Sequence, residues 1–182
     1  MAKAHAGGVP GGRRPAAGGT GAMQEKAAVP GLRTELLFEM SVDLVEEAQV
    51  VGATPHGIRR IRHIKGGSFS GPKIAGEVLP GGADWLLVRA DGAREIDVRV
   101  TLRADDGHLI YAISRGIFDV SPAVFERILQ GEAVDPAQYY FRTTPLFETA
   151  SEKYGWLNRI VAVSIGRQAA PAVVQQTIYT VL

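Results

Sequence analysis

"ADWLLVRADGAREIDVRVTLRADDGHLIYAIS", Ala83 to Ser114, contains two Asp-Gly pairs, Asp91-Gly92 and Asp106-Gly107, each between β-rich runs. Asp-Gly flanked by alternating apolar residues is the strongest short-range hairpin signal, because glycine accepts the positive φ that a tight turn requires. The stretch therefore predicts a three-stranded meander over about Asp84–Arg89, Glu95–Arg103 and His108–Ser114. In the central strand Ile96, Val98, Val100 and Leu102 share one face, and Asp97, Arg99 and Thr101 share the other.

The same period of two appears upstream in "LRTELLFEMSVDL". Leu36, Phe38, Met40, Val42 and Leu44 fall on one side, opposite Glu39, Ser41 and Asp43. A second extended segment is predicted near Gln49–Gly52, before a turn at Thr54–Gly57. Downstream, "SPAVFERILQG" predicts the one helix: Ser121 caps it, Pro122 suits its first position and Gly131 ends it. "AQYYFRTTPLFET" reads as a strand bent or interrupted at Pro145, since proline cannot donate to a central ladder. "GWLNRIVAVSIGR" and "VVQQTIYTVL" read as two last strands, with Trp156, Asn158 and Ile160 on one face of the first. About eight to ten strands and one short helix indicate an all-β barrel or sandwich, and closure into a barrel removes exposed edges.

Composition narrows the function classes. The chain has 182 residues, 46% hydrophobic, 7% aromatic, with a formal net charge of +1 and no cysteine. Near-neutrality gives no field that points to nucleic acid, and the lack of cysteine excludes disulfides and thiolate metal sites. A cytoplasmic address fits this usage. No run of about 18 apolar residues is present, so no membrane-spanning helix is expected. The twin arginine in "GRRPAAGG" lacks the apolar run of a signal peptide. Residues 1–31, rich in Gly, Ala and Pro, read as a disordered tail, a cloning remnant or a dispensable extension, with a single domain over residues 32–182.

"GGSFSGPKIAGEVLPGGADW", Gly66 to Trp85, superficially resembles a phosphate-binding loop. Gly66 and Gly71 have the spacing, but Pro72 stands where the lysine belongs, Lys73 is one place late, and no helix pattern follows. The glycines are better explained as bends or close backbone approaches in a curling sheet. "HGIRRIRHIK" lacks the aromatic platforms of a nucleic-acid surface and reads as a solvated strand face. His56 and His63 have no third ligand nearby, so no metal site is expected.

Two groups of polar residues remain. Asp97 and Arg99 lie about 7 Å apart along one strand face. Outside, such a pair contributes little; inside a barrel, pairing would make the charges tolerable. Periodicity leaves both readings open. The C-terminal third gathers Tyr140, Arg142, Glu148, Tyr154, Trp156 and Asn158, a set that suits either a ligand pocket or a barrel core. No nucleophile-elbow motif is present.

Four ordered segments, "GGSFSGPKIAGEVLPGGADW", "DVRVTLRADDGHLIY", "YYFRTTPLFET" and "YGWLNRIVAVSIGR", together resemble domain-of-unknown-function family 3237 over about Arg33 to Leu182. The resemblance implies a closed antiparallel β-barrel, broadly like lipocalins or allene oxide cyclases, with a helix closing one end. It implies no settled reaction. Its recurring polar positions correspond to Asp84, Asp97, Arg99, Arg142, Glu148 and Asn158. Ala150 stands where family members often have glycine after "FET".

Two functional expectations follow. One is a cofactor-independent isomerase, cyclase or lyase acting on a small organic molecule. In it, Asp97 or Glu148 is the acid–base group and Arg99 or Arg142 the oxyanion stabiliser, while Asp84, Tyr111, Phe141, Trp156 and Asn158 line the pocket. The other is a lipocalin-like carrier whose charges only hold the barrel together. Both are compatible with a homo-oligomer; neither calls for a cofactor, nucleic acid or a membrane.

Overall fold

Eleven strands and one α-helix occur in the computed structural model, which describes residues 31–182. The predicted N-terminal tail lies, but for Gly31, outside the described residues. In chain order the strands are β1 (Thr34–Leu44), β2 (Gln49–Thr54), β3 (Gly57–Ser70), β4 (Ala75–Val78), β5 (Ala83–Asp84) and β6 (Leu87–Val88). After them come β7 (Arg94–Ala104), β8 (Leu109–Asp119), α1 (Pro122–Leu129), β9 (Tyr140–Glu148), β10 (Ala162–Ala170) and β11 (Val173–Val181).

Eight strands close a ring in the order β1–β11–β10–β9–β8–β7–β4–β3, and β3 returns to β1 through Glu39↔Ser70 to Leu44↔Ile64. All these pairings are antiparallel. The three extra strands are β2, which pairs with β3, and β5 and β6, which continue the stave of β4 between β3 and β7. That stave is broken twice, and the breaks matter for the site.

The β7–β8 hairpin runs in unbroken register from Arg94↔Phe118 to Arg103↔Leu109. Gly107 closes it at φ 87°, and Gly92 makes the preceding turn at φ 88°, the left-handed region where a side chain would be strained. Alternation sends Ile96, Val100, Leu102 and Ala104 inward, where all are buried, and turns Asp97 and Arg99 to the outer wall.

Two packed layers form the core of the barrel. One holds Phe38, Phe69, Val100, Leu102, Ile110 and Phe147. The other, beside α1, holds Ile96, Phe118, Ile128, Tyr139 and Phe141. The helix begins as its sequence dictates, with Ser121 Oγ accepting the Val124 N–H at 3.3 Å and Pro122 in the first turn. The Arg94 guanidinium sits 4.0 Å from the Phe125 ring centroid, a cation–π contact between barrel and helix.

Three local expectations are corrected. A β-bulge between Leu36 and Phe38 turns Leu36 out, 43% exposed, and buries Leu37 instead. Pro145 does not interrupt β9: it lies opposite Ser114 in the β8 ladder, beyond the last β9–β10 pair, so no ladder bond is lost to it there. Gly155–Arg159 is a 3₁₀ turn, so Trp156, Asn158 and Ile160 do not share a strand face.

Candidate functional site

The outer wall carries a groove of about 1210 Å³ whose lining includes Arg59, Trp85, Asp97, Arg115, Tyr140 and Arg142. Strand register assembles its centre. Asp97 and Arg115 are cross-strand partners on β7 and β8, and Arg142 faces Ile117 from β9. Asp97 lies between two guanidinium groups: Arg99 Nη2 is 3.5 Å from Oδ2, and Arg115 Nε is 3.5 Å from Oδ1. The second separation is an ion pair without a hydrogen bond, and buried Oδ1 has no hydrogen-bond partner among the described residues.

Aromatic rings orient the cations. The Arg99 guanidinium carbon is 4.9 Å from the Trp85 ring centroid, and that of Arg142 is 5.2 Å from Tyr140. Arg142 also donates to the Phe141 carbonyl at 2.9 Å, and Arg59 donates to the Trp85 carbonyl. The groove lining itself holds three arginines, Arg59, Arg115 and Arg142, against two carboxylates, Glu95 and Asp97, a balance that suits an anion or a developing oxyanion.

Inside the barrel, between the two packed layers, lies a chamber of about 60 Å³, next to another of about 30 Å³. Asp84 points into it from β5, opposite inward-facing Val98 of β7. Its Oδ1 accepts the Asp97 backbone N–H at 3.1 Å, at the place where the β4–β5–β6 stave breaks. Burial among apolar walls pushes the Asp84 carboxyl up to about 6; the Asp97 N–H and the charge of Arg62 oppose that shift. A chain of side chains crosses the chamber wall: Ser114 Oγ donates to Thr143 Oγ1 at 2.7 Å, and Ser164 Oγ donates to Gln176 Oε1 at 2.7 Å. Thr143 Oγ1 and Ser164 Oγ are 2.6 Å apart, and with Ser164's proton already committed, Thr143 is the donor.

The residues singled out in the sequence therefore separate. Asp97 and Arg142 both line the groove, with Arg99 beside Asp97. Asp84 and Phe141 line the chamber. Glu148 and Tyr111 are cross-strand partners on the outer wall, away from both concavities. Asn158 clasps the Thr149 backbone, accepting its N–H at 2.8 Å and donating to its carbonyl at 2.9 Å. Trp156 packs on the core edge, with Lys73 Nζ 5.9 Å from its ring centroid. Arg115 escaped the sequence reading, although a hairpin centred on Asp106 places it opposite Asp97. The hydroxyl chain carried no sequence signal, because its members come from four strands. Among the described residues no cluster of metal-ligating side chains occurs, and no helix is long and apolar enough to cross a membrane.

The profile of the family described as "Protein of unknown function (DUF3237)" matches residues 32–181. The UPF0311 protein RPA1785 of Rhodopseudomonas palustris is 34% identical over 145 residues, 80% of this chain and 94% of that one. A Clostridium acetobutylicum UPF0311 protein is 46% identical over 101 residues, 56% of this chain and 64% of the relative. Among solved structures, a β-barrel-like protein from Acinetobacter baumannii has a TM-score of 0.74 at 39% identity, covering 86% of this chain and 100% of its own. A structure described as an enzyme from Penicillium herquei has a TM-score of 0.62 at 21% identity over 86% of this chain and 99% of its own, a likeness of fold.

Proposed function

The chain belongs to the DUF3237 family, and from that premise we propose that its outer groove is the site of a cofactor-independent enzyme of isomerase, cyclase or lyase type. The substrate class is a small organic molecule bearing a carbonyl or phenolic oxygen. One observation carries the reading: the Asp97 carboxylate, with one oxygen left without a hydrogen bond among the described residues, lines the same groove as Arg115 and Arg142.

In this mechanism the Asp97 carboxylate, whose side chain is 30% exposed although Oδ1 is turned in, takes a proton from the substrate, from carbon next to a carbonyl or from a hydroxyl. Negative charge builds on the substrate oxygen, and Arg142 and Arg115 meet it. The same carboxylic acid then returns the proton at a second position, so the reaction needs no external acid or oxidant. Trp85 and Tyr140 supply flat surfaces for an unsaturated or aromatic substrate.

Carriage of a large apolar ligand inside the barrel fits less well. Ligand pockets for drug-sized molecules run from about 300 Å³ upward, whereas the chamber is about 60 Å³. A homo-oligomer is compatible with this reading, because Leu109 and Leu146, outside the groove, are 54% and 55% exposed.

Native mass spectrometry of the protein as purified, followed by crystallography of any complex, identifies the ligand. With that substrate, Asp97→Asn is expected to lower kcat by about 100-fold or more with KM within a few-fold. Arg142→Lys should lower kcat and kcat/KM together, because Arg142 meets charge that develops only in the transition state, and Glu148→Gln should leave both constants unchanged. Turnover that survives Asp97→Asn sinks the acid–base assignment.

A further inference from the structure

The interior of the barrel is not packed throughout. At its waist the inward-facing Met40, Asp84, Val98, Ser114, Val174 and Gln176 all retain accessible surface. The inward residues on either side are buried: Val100, Leu102 and Ala112 in one direction, Ile96, Phe118 and Phe141 in the other. A layer of space is thus held between two sealed layers. Interiors normally close such gaps, because an empty cavity costs the wall its dispersion contacts.

We propose that this chamber is an internal binding site for an uncharged carbonyl compound of about four to six heavy atoms, whose oxygen accepts hydrogen bonds from the Asp84 carboxyl and the Gln176 amide. The inference is independent of the groove and of the reaction assigned to it.

Size comes first. At roughly 15 Å³ for each water-sized group, a 60 Å³ chamber takes about four heavy atoms, and the adjoining 30 Å³ void takes one or two more. Polarity comes second. Eight of the twelve lining residues are apolar, Met40, Val42, Val98 and Phe141 among them. Ordered water needs about three hydrogen bonds per molecule, and a wall so largely apolar cannot provide them for four waters. A small molecule with methyl groups and one oxygen matches the wall better.

Donor direction comes third. Ser114 gives its proton to Thr143, Thr143 to Ser164, and Ser164 to Gln176 Oε1. Gln176 Oε1 is therefore engaged, and Nε2 is the group left to donate. Among the described residues the Asp84 carboxyl accepts a hydrogen bond from the Asp97 N–H alone, on Oδ1. When protonated it also donates. The charged groups that act on it are Arg62 and Arg59 from β3 and Asp97 from β7. The arginines favour its ionised form and Asp97 the neutral one, and burial outweighs both, which keeps a donor available to about pH 6.

Acetone, with four heavy atoms, is the probe. Methyl NMR of the full chain is followed during titration at about pH 5 and about pH 8, on either side of the Asp84 transition. The methyls of Met40, Val98 and Val174 should shift saturably at the lower pH, with affinity at least tenfold weaker at the higher. Asp84→Asn, which keeps a donor, should bind at both pH values alike. Asp84→Leu should weaken binding at least tenfold, and Val174→Leu, which fills part of the chamber without touching Asp84, should weaken it too. If Asp84→Leu fails to fold, Val174→Leu and the wild-type pH profile still decide. Shifts that do not saturate, that appear only on groove residues such as Ile117 and Ile165, or that are equal at both pH values overturn the proposal. So does a crystal soaked in acetone in which ordered waters alone fill the chamber.

Discussion

Asp84 serves two demands that oppose each other. Its Oδ1 replaces a missing ladder acceptor for the Asp97 N–H, while its apolar surroundings penalise its charge and lift its pKa to about 6. An acid whose folded pKa is raised stabilises the fold fully below its unfolded value of about 3.9; that stability is lost as pH rises through about 6. Asp84→Asn keeps an acceptor for the Asp97 N–H and removes the buried charge. At about pH 8 the variant should therefore be more stable than the parent, by on the order of 1–3 kcal/mol, with the gap closing below about pH 4. Urea unfolding at both pH values measures it, and equal stabilities at pH 8 would show that Asp84 is solvated. Individual residues were unevenly legible. The family resemblance singled out Asp84 in the "GGADW" segment, and alternation paired Asp97 with Arg99 without deciding which way they face. Asn158 was misplaced because a 3₁₀ turn replaced the expected strand, and its amide closes on Thr149 instead of a pocket.

At the scale of elements, the glycines of "GGSFSGPKIAGE" show what a seam between strands requires. A Cβ on Gly67 would run into the Ser41 carbonyl of β1, and one on Gly76 into the Arg103 carbonyl of β7. Both positions lie in the ladders that carry β3 and β4 around the ring. The neighbouring atoms are backbone, so the clash cannot be relieved by rotating a side chain. Gly76→Ala is expected to lower Tm by about 5 °C or more. Gly155→Ala, with no atom within 4 Å of the new methyl, should stay within about 0.5 kcal/mol of the parent. Thermal unfolding followed by circular dichroism compares them, and equal losses would remove the steric account. Element existence was well marked in the sequence, because Asp-Gly turns, a capped helix and period-two runs are local signals. The bulge at Leu36–Phe38 and the continuity of β9 through Pro145 were not, since both are settled by the neighbouring strand.

Across the whole molecule the barrel is unevenly laced. β7 and β8 pair without a gap from Arg94 to Arg103, whereas β9 and β10 pair among the described residues at Thr143↔Ser164 and Arg142↔Ile165. The hydroxyl chain crosses this short seam, with Thr143 Oγ1 bonded to Ser164 Oγ between the same two strands. A side-chain link in a low-dielectric interior compensates for missing ladder bonds, and it does so beside the groove, which Arg142 and Ile165 line from opposite sides of the seam. Local opening should therefore begin here: amides of β9 and β10 near Thr143 and Ile165 should exchange faster than those at the centre of β7 and β8. Thr143→Val keeps the shape but leaves the Ser114 and Ser164 hydroxyls without that partner, a loss of about 1–3 kcal/mol. If the seam is where the barrel opens, the variant should speed exchange at β9–β10 well beyond its effect on β7–β8. A uniform acceleration across all strands would mean instead that the barrel opens as one unit and that the hydroxyl chain stabilises it globally. The two outcomes also bear on the groove, because only a locally opening seam lets Arg142 move relative to Asp97 without unfolding the wall that holds them both.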